Sequence, residues 1–276
     1  MQYLEILFEN IEERENEILV ALLAAIGFDG FEEEAKSLKA FIPNLKFNEI
    51  EFNKVIKINH FKYSKSIIKE QNWNEKWEAD FEPVMVYHPI TNIPFVYIRA
   101  NFHKPNNSFL HDISVTPKMS FGTGHHATTH LMVAHMSEID FTEKSVIDFG
   151  TGTGVLAIIA EKLGAGKIVG IDNDEWSINN ANENLLVNNC DKIHLIKAET
   201  IPSGIKAKII LANINLNVIK ENIIAIIEAS EKNTTFLFSG IMLHDEEKIV
   251  ALLQHVGLNI EGIFKKEGWV LLKAGN

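Results

Sequence analysis

From about residue 110 onward, short apolar runs alternate with stretches whose apolar residues recur every three to four positions. The runs SVIDFG (145–150), KIVGID (167–172), IHLIKA (193–198), KIILANI (208–214) and TFLFSG (235–240) are short and sharply bounded, which predicts buried strands. Between them VLAIIAEKLGA (155–165, closed by Gly164), EWSINNANENLLVNN (175–189), NVIKENIIAIIEAS (217–230) and EEKIVALLQHVG (246–257) carry helical spacing. GWVLLKA (268–274) reads as a last strand, and the wider IFKKEGWVLLKA can turn back antiparallel. Strands and helices alternating at this interval predict an α/β domain over 111–276, a doubly wound and mostly parallel sheet with helices on both faces.

The start of the chain has another texture. Residues 3–8 (YLEILF) alternate like a half-buried strand, and 12–27 carry helical spacing ending at Gly27. FDGFEEE, LKAFIPNL and NKVIKINHF supply further short strands and turns. This predicts a small α+β unit over 1–62, of ferredoxin-like type, with 63–110 as a linker. Within the linker, Trp73, Trp77 and Phe81 stand at i, i+4 and i+8, one aromatic stripe along a short helix that Pro83 ends. That stripe reads as packing surface rather than a cofactor contact.

Composition adds exclusions. The longest apolar run, ILVALLAAIGF at 18–28, is too short to span a bilayer, and MQYLEILFENIEERE does not resemble a secretory signal. The single cysteine, Cys190, rules out an intramolecular disulfide and a cysteine-based zinc site, so a reducing cytoplasm is the natural setting. A net charge of −11 suits a small-molecule ligand or a basic protein partner better than a nucleic-acid backbone.

In a doubly wound sheet, ligands bind at the carboxyl ends of the strands near the switch point. The residues to read are therefore 150–154, 172–174, 198–200, 213–217 and 239–242. DFGTGTG (148–154) follows a strand and opens a helix, and its glycines permit a tight turn and close ligand approach. A phosphate-binding P-loop would end in Gly-Lys-Ser/Thr, whereas Val155 and Leu156 follow Gly154. A dinucleotide fingerprint would read G-x-G-x-x-G, and Gly150, Gly152 and Gly154 are spaced G-x-G-x-G. Asp172 ends the next strand, where a carboxylate can accept both hydroxyls of a ribose; Asp174 fits the alternative role of helix N-cap better. A G-x-G-x-G turn with an acid after the next strand looks like the Rossmann-like methyltransferases that use S-adenosyl-L-methionine.

Three further segments narrow the resemblance. SFGTGHHATT, VIDFGTGTGVLAIIAEKLGA with GIDND and LANI, and NWNEKWEADFEPV with a late GWVLL together resemble the ribosomal protein methyltransferases of the PrmA type, which modify large-subunit ribosomal protein eleven. The resemblance covers roughly residues 70–276 and implies a leading domain that recruits the substrate protein. It also implies a catalytic domain that methylates lysine side-chain and N-terminal amines. By position, Thr129, Gly150, Gly152, Asp172 and Asn213 would contact S-adenosyl-L-methionine. Asn213 is also the candidate catalytic residue, its carbonyl oxygen orienting the amine; the alternative is an asparagine that simply ends a strand in a turn. The chain departs from the family at Pro117-Lys118-Met119-Ser120 and in INLNV after Asn213. A cytoplasmic monomer is expected, touching neither membrane nor nucleic acid.

The remaining candidates are secondary. His126 and His130 stand four apart, but Ala127-Thr128-Thr129 separates them, with no general-base glutamate and no evident third ligand, so no metal is expected. Gly122 and Gly124 suit a flexible flap, with Thr128 or Thr129 offering hydroxyls. What His125, His126 and His130 do stays open, and Glu199 is either an adenine-side contact or a surface acid. Other readings are the same fold acting on RNA or a small molecule, a non-catalytic adenosylmethionine-binding module, or, last, a dehydrogenase.

Overall fold

The computed structural model describes residues 3–9, 11, 13–34, 37–59, 61–68, 82–116 and 126–276. The chain divides into two compact units, residues 1–77 and 78–276.

The first unit runs β1 (Tyr3–Glu9), α1 (Glu13–Ala25), β2 (Gly30–Glu34), β3 (Ser37–Pro43), α2 (Glu49–Asn59) and β4 (Tyr63–Ile68). Its sheet has the order β2-β3-β1-β4, antiparallel throughout, which is the ferredoxin-like arrangement. Alternation along β1 sends Leu4, Ile6 and Phe8 inward, where they meet Leu38, Ala40 and Ile42 of β3 and Leu19 and Leu23 of α1. Two expectations change here. NKVIKINHF contributes to a helix rather than a strand, because Phe52, Val55 and Ile56 fall at i, i+3 and i+4 and bury one helical face. Asn48 starts that helix by accepting the amides of Ile50 and Glu51 at 3.0 and 3.3 Å. The second concerns the linker: residues 63–68 form β4, paired along β1, so the small unit runs past residue 62. The Trp73–Trp77–Phe81 stripe lies outside the described residues.

The second unit begins with β5 (Val84–Tyr87), β6 (Pro94–Ala100) and β7 (His111–Val115), a three-stranded sheet whose first two strands fall within the expected linker. After α3 (Ala127–Met136) come β8 (Ser145–Phe149), α4 (Val155–Lys162), β9 (Lys167–Asp172), α5 (Glu175–Val187), β10 (Ile193–Lys197) and β11 (Ala207–Asn213). The chain closes with α6 (Leu216–Glu228), β12 (Ser230–Met242), α7 (Glu246–His255), β13 (Asn259–Lys266) and β14 (Trp269–Gly275). The seven strands β8 to β14 lie in the order β10-β9-β8-β11-β12-β14-β13, the first five parallel and β14 antiparallel to both its neighbours. The expected return of the last strand takes this form, a β13–β14 hairpin whose second arm inserts beside β12.

Both faces of this sheet are covered, which explains its near-continuous apolar strands. Val146, Ile209 and Leu211 enter one core with α3, α4 and the three-stranded sheet; Ile147, Ile210 and Ala212 enter the other with α6 and α7. On α6, Ile219, Ile223 and Ile226 form the buried stripe, and each contributes roughly 1.5–3 kcal/mol by leaving water. Strand order reverses between β8 and β11, so the crevice between their carboxyl ends is the position for a ligand.

Candidate active site

A cavity of about 410 Å³ opens in that crevice. The carboxyl ends of β8, β9, β10, β11 and β12 all reach it, through Gly150, Asp172, Ala198, Asn213 and Gly240. Thr129 of α3 and Trp269 of β14 close it from the other side of the chain order.

The glycine-rich turn forms one wall. Gly150, Gly152 and Gly154 have φ of 77°, 53° and 78°, the left-handed region that disfavours any side chain. Gly150 also has no room for one, since a Cβ there would lie 2.2 Å from Cγ2 of Ile214. The amides of Gly150 and Thr151 donate to the Ile171 carbonyl at 2.8 and 2.9 Å, which fastens the turn to β9. Beneath it Asp148 is fully buried, accepting the Thr151 hydroxyl at 2.7 Å and the Ala157 amide at 3.2 Å. Burial, with the nearby Asp172 charge adding to it, pushes the Asp148 carboxyl up to about 7. Its second oxygen has no hydrogen-bond partner.

Asp172 faces the cavity with both oxygens engaged from behind. Oδ2 accepts the Gly152 amide at 2.9 Å and Oδ1 the Asp174 amide at 3.0 Å. A carboxylate offers about four lone-pair sites, so two remain for hydroxyls of a ligand. Asp174 is the cap of α5, accepting the amides of Trp176 and Ser177 at 3.3 and 3.1 Å.

Across the turn, Asn213 ends β11. Its Nδ2 donates to the Thr129 hydroxyl oxygen at 3.3 Å, whereas Oδ1 is buried without a partner. The residue lines the cavity, but this oxygen is shut off from water-sized space, and a buried carbonyl oxygen without a donor is costly. Asn215, two residues on, caps α6 by accepting the Val218 amide at 3.0 Å.

The residues read from the sequence thus have definite places. Thr129, Gly150, Gly152, Asp172, Asn213 and Glu199 line one cavity. Residues 120–125, with Gly122, Gly124 and His125, lie outside the described residues. His126 caps α3, its Nδ1 2.7 Å from the Thr128 hydroxyl, and packs edge-on against Trp269 at 4.6 Å. His130 does not line the cavity; burial first, then Lys266, holds its imidazole below the ordinary pKa. Among the described residues no group of three His, Cys, Asp or Glu is placed to hold a metal ion. Trp269 and Ser177 line the cavity without having been singled out from the sequence. Ser177 stands three residues past the cap Asp174, a spacing that could have flagged it. Trp269 reaches the site because β14 inserts antiparallel beside β12, pairing it with Met242.

Among the described residues the lining includes no lysine or arginine. A turn of side-chain-free glycines and a carboxylate pre-held by backbone amides fit a nucleoside such as S-adenosyl-L-methionine.

A sequence profile for the family described as ribosomal protein L11 methyltransferase (PrmA) matches residues 7–276. Ribosomal protein L11 methyltransferase of Chlorobaculum parvum is 35% identical over 96% of this chain and 94% of its own length. The protein of the same name from Phocaeicola vulgatus is 30% identical over 99% of each. Among solved structures, ribosomal protein L11 methylase from Lactobacillus delbrueckii subsp. bulgaricus superposes with a TM-score of 0.62 at 25% identity, covering 69% of this chain and 97% of that one.

Proposed function

Since the chain belongs to the ribosomal protein L11 methyltransferase (PrmA) family, we propose that it transfers methyl groups from S-adenosyl-L-methionine to lysine side-chain and N-terminal amines of ribosomal protein L11. The observation that carries this reading is that Thr129, the glycine-rich turn, Asp172 and Asn213 line one cavity at the switch point of the sheet. Bound there, S-adenosyl-L-methionine supplies a methyl group already activated on a sulfonium. Asp172 accepts the ribose hydroxyls on the lone pairs its backbone partners leave. The turn at 150–154 lets the donor approach the backbone, and Glu199 stands at the adenine side.

The protein's task is then alignment. Asn213 Oδ1 accepts an N–H of the incoming amine and points the nitrogen lone pair at the methyl carbon, where correct placement supplies much of the barrier reduction. Thr129 holds one end of that amide, its hydroxyl oxygen accepting from Asn213 Nδ2. A lysine amine with an ordinary pKa of about 10.4 must be neutral to attack. Desolvation in the cavity favours that neutral form, so no dedicated base is needed.

The first unit recruits the substrate protein. Among the described residues no helix is long and apolar enough to cross a membrane, and we assign the enzyme to the cytoplasm as a monomer that does not bind nucleic acid. Incubating it with donor and purified large-subunit ribosomal proteins tests the reading: L11 gains mass in multiples of one methyl. An unshifted L11 beside a modified RNA or another protein would refute the substrate and leave the fold standing.

A further inference from the structure

The segment Asn213–Asn215 has a seat of unusual construction. Ile214 is wedged between two glycines from different strand ends, Gly150 after β8 and Gly240 within β12. On one side its Cγ2 occupies the space a Cβ at Gly150 would take, at 2.2 Å. On the other, its backbone lies flush on Gly240, where a Cβ would meet the Ile214 oxygen at 2.6 Å and nitrogen at 2.9 Å. Both glycines have positive φ, 77° and 82°. The Ile214 amide donates to the Ser239 carbonyl at 3.1 Å, and Asn215 is committed to capping α6. All three residues line the cavity, and in addition Ile214 fills the seat and Asn215 starts the helix.

We propose that Ile214 is a positioning residue for methyl transfer, its β-branch fixing the distance between β11 and the glycine-rich turn and so aiming the Asn213 oxygen. Backbone packing on Gly240 prevents retreat to one side, and Cγ2 against Gly150 prevents a slide to the other. This rests on the reading of Asn213 as the group that orients the amine. No proline stiffens the turn, so packing has to.

The atoms give a sharp test. Valine keeps Cγ2, leucine keeps the volume but lacks it, and alanine has neither. Isothermal titration of the donor and single-turnover transfer to L11 are measured for Ile214→Val, Ile214→Leu, Ile214→Ala and Asn213→Ala. Ile214→Val transfers within about threefold of the parent, whereas Ile214→Leu and Ile214→Ala slow by about tenfold to hundredfold with donor affinity within about threefold. Volume-conserving swaps are tolerated, so Ile214→Leu folds even where Ile214→Ala does not. Leucine transferring as well as valine, or donor affinity falling in step with rate, overturns the proposal. Full transfer by Asn213→Ala overturns the reading beneath it, and a defective Asn213→Ala beside an active Ile214→Leu overturns the wedge alone.

Discussion

Asp172 and Asn213 end strands on either side of β8 and face the same cavity, yet they are prepared in opposite ways. Both oxygens of Asp172 are held by backbone amides before any ligand arrives. Asn213 has its nitrogen tied to Thr129 and its oxygen bare. A charge held in place from behind loses little freedom when it takes up two hydroxyls, so that end is built to bind. An unsatisfied carbonyl oxygen gains most when a donor approaches it, so that end is built to act on whatever enters. Binding and turnover should therefore separate cleanly between the two strand ends.

The largest effect falls on the bare end. Asn213→Ala should lower kcat by about a hundredfold or more, while S-adenosyl-L-methionine binds within about threefold of the parent, because an interaction confined to the reacting geometry shows in kcat. Asp172→Ala should do the converse. Hydrogen bonds to a charged group contribute about 1.5–3 kcal/mol, so losing those to the ribose weakens donor binding by roughly tenfold to a hundredfold. Transfer at saturating donor should stay within about threefold. Titration calorimetry with single-turnover kinetics on both variants checks the pair, and equal losses in both quantities at either residue would erase the distinction drawn here.

Asp148, under the same turn, sharpens the comparison through pH. Its carboxyl rises from the ordinary 3.8 to about 7 because it is fully buried. Between those values the folded protein holds a proton that the unfolded chain releases, so stability falls as pH rises across the window and is level above it. Asp148→Asn cannot titrate. Relative to the parent it should gain stability from pH 4 to 7, by on the order of a few kcal/mol, and hold that difference at pH 8. Urea unfolding at several pH values measures it. The carboxylates whose pKa is lowered, such as Asp140 and Asp245, act in both proteins and cancel in the difference.

What could be read from the sequence follows the same physics. Strands β8, β9 and β11 were legible because both of their faces are buried, which leaves an apolar run with a turn at its end. The glycine-rich turn and Asp172 were legible because they are local: one stretch and the residue after the next strand. In the first unit, α2 looks like a strand locally because Val55, Ile56 and Ile58 also suit one, and only burial in the core shared with β1 and β3 decides for the helix. β4 looks like linker because its exposed, polar-rich sequence carries no core signal, although β1 pairs with it along its length. The Thr129–Asn213 hydrogen bond joins residues 84 apart, and Trp269 enters the site by an antiparallel insertion. Neither is written in any short segment. Asp148 sits inside the motif, but its burial is a property of the packed sheet.

The smallest effect concerns Asp174, two residues from Asp172 and bearing the same functional group. Its oxygens are spent on the first amides of α5, and what reaches Asp172 is the Asp174 backbone N–H. Asp174→Ala removes the cap and keeps that N–H, so the cradle behind Asp172 survives. The expected result is a fall of a few degrees in Tm, the usual consequence of losing one N-cap in a chain of this length. Donor affinity and kcat should match the parent. Thermal melting with and without S-adenosyl-L-methionine separates the cases, since an intact site raises Tm by the same increment in both proteins. A smaller increment in Asp174→Ala would mean that the α5 cap, and not the Asp172 carboxylate alone, sets the donor side of the cavity.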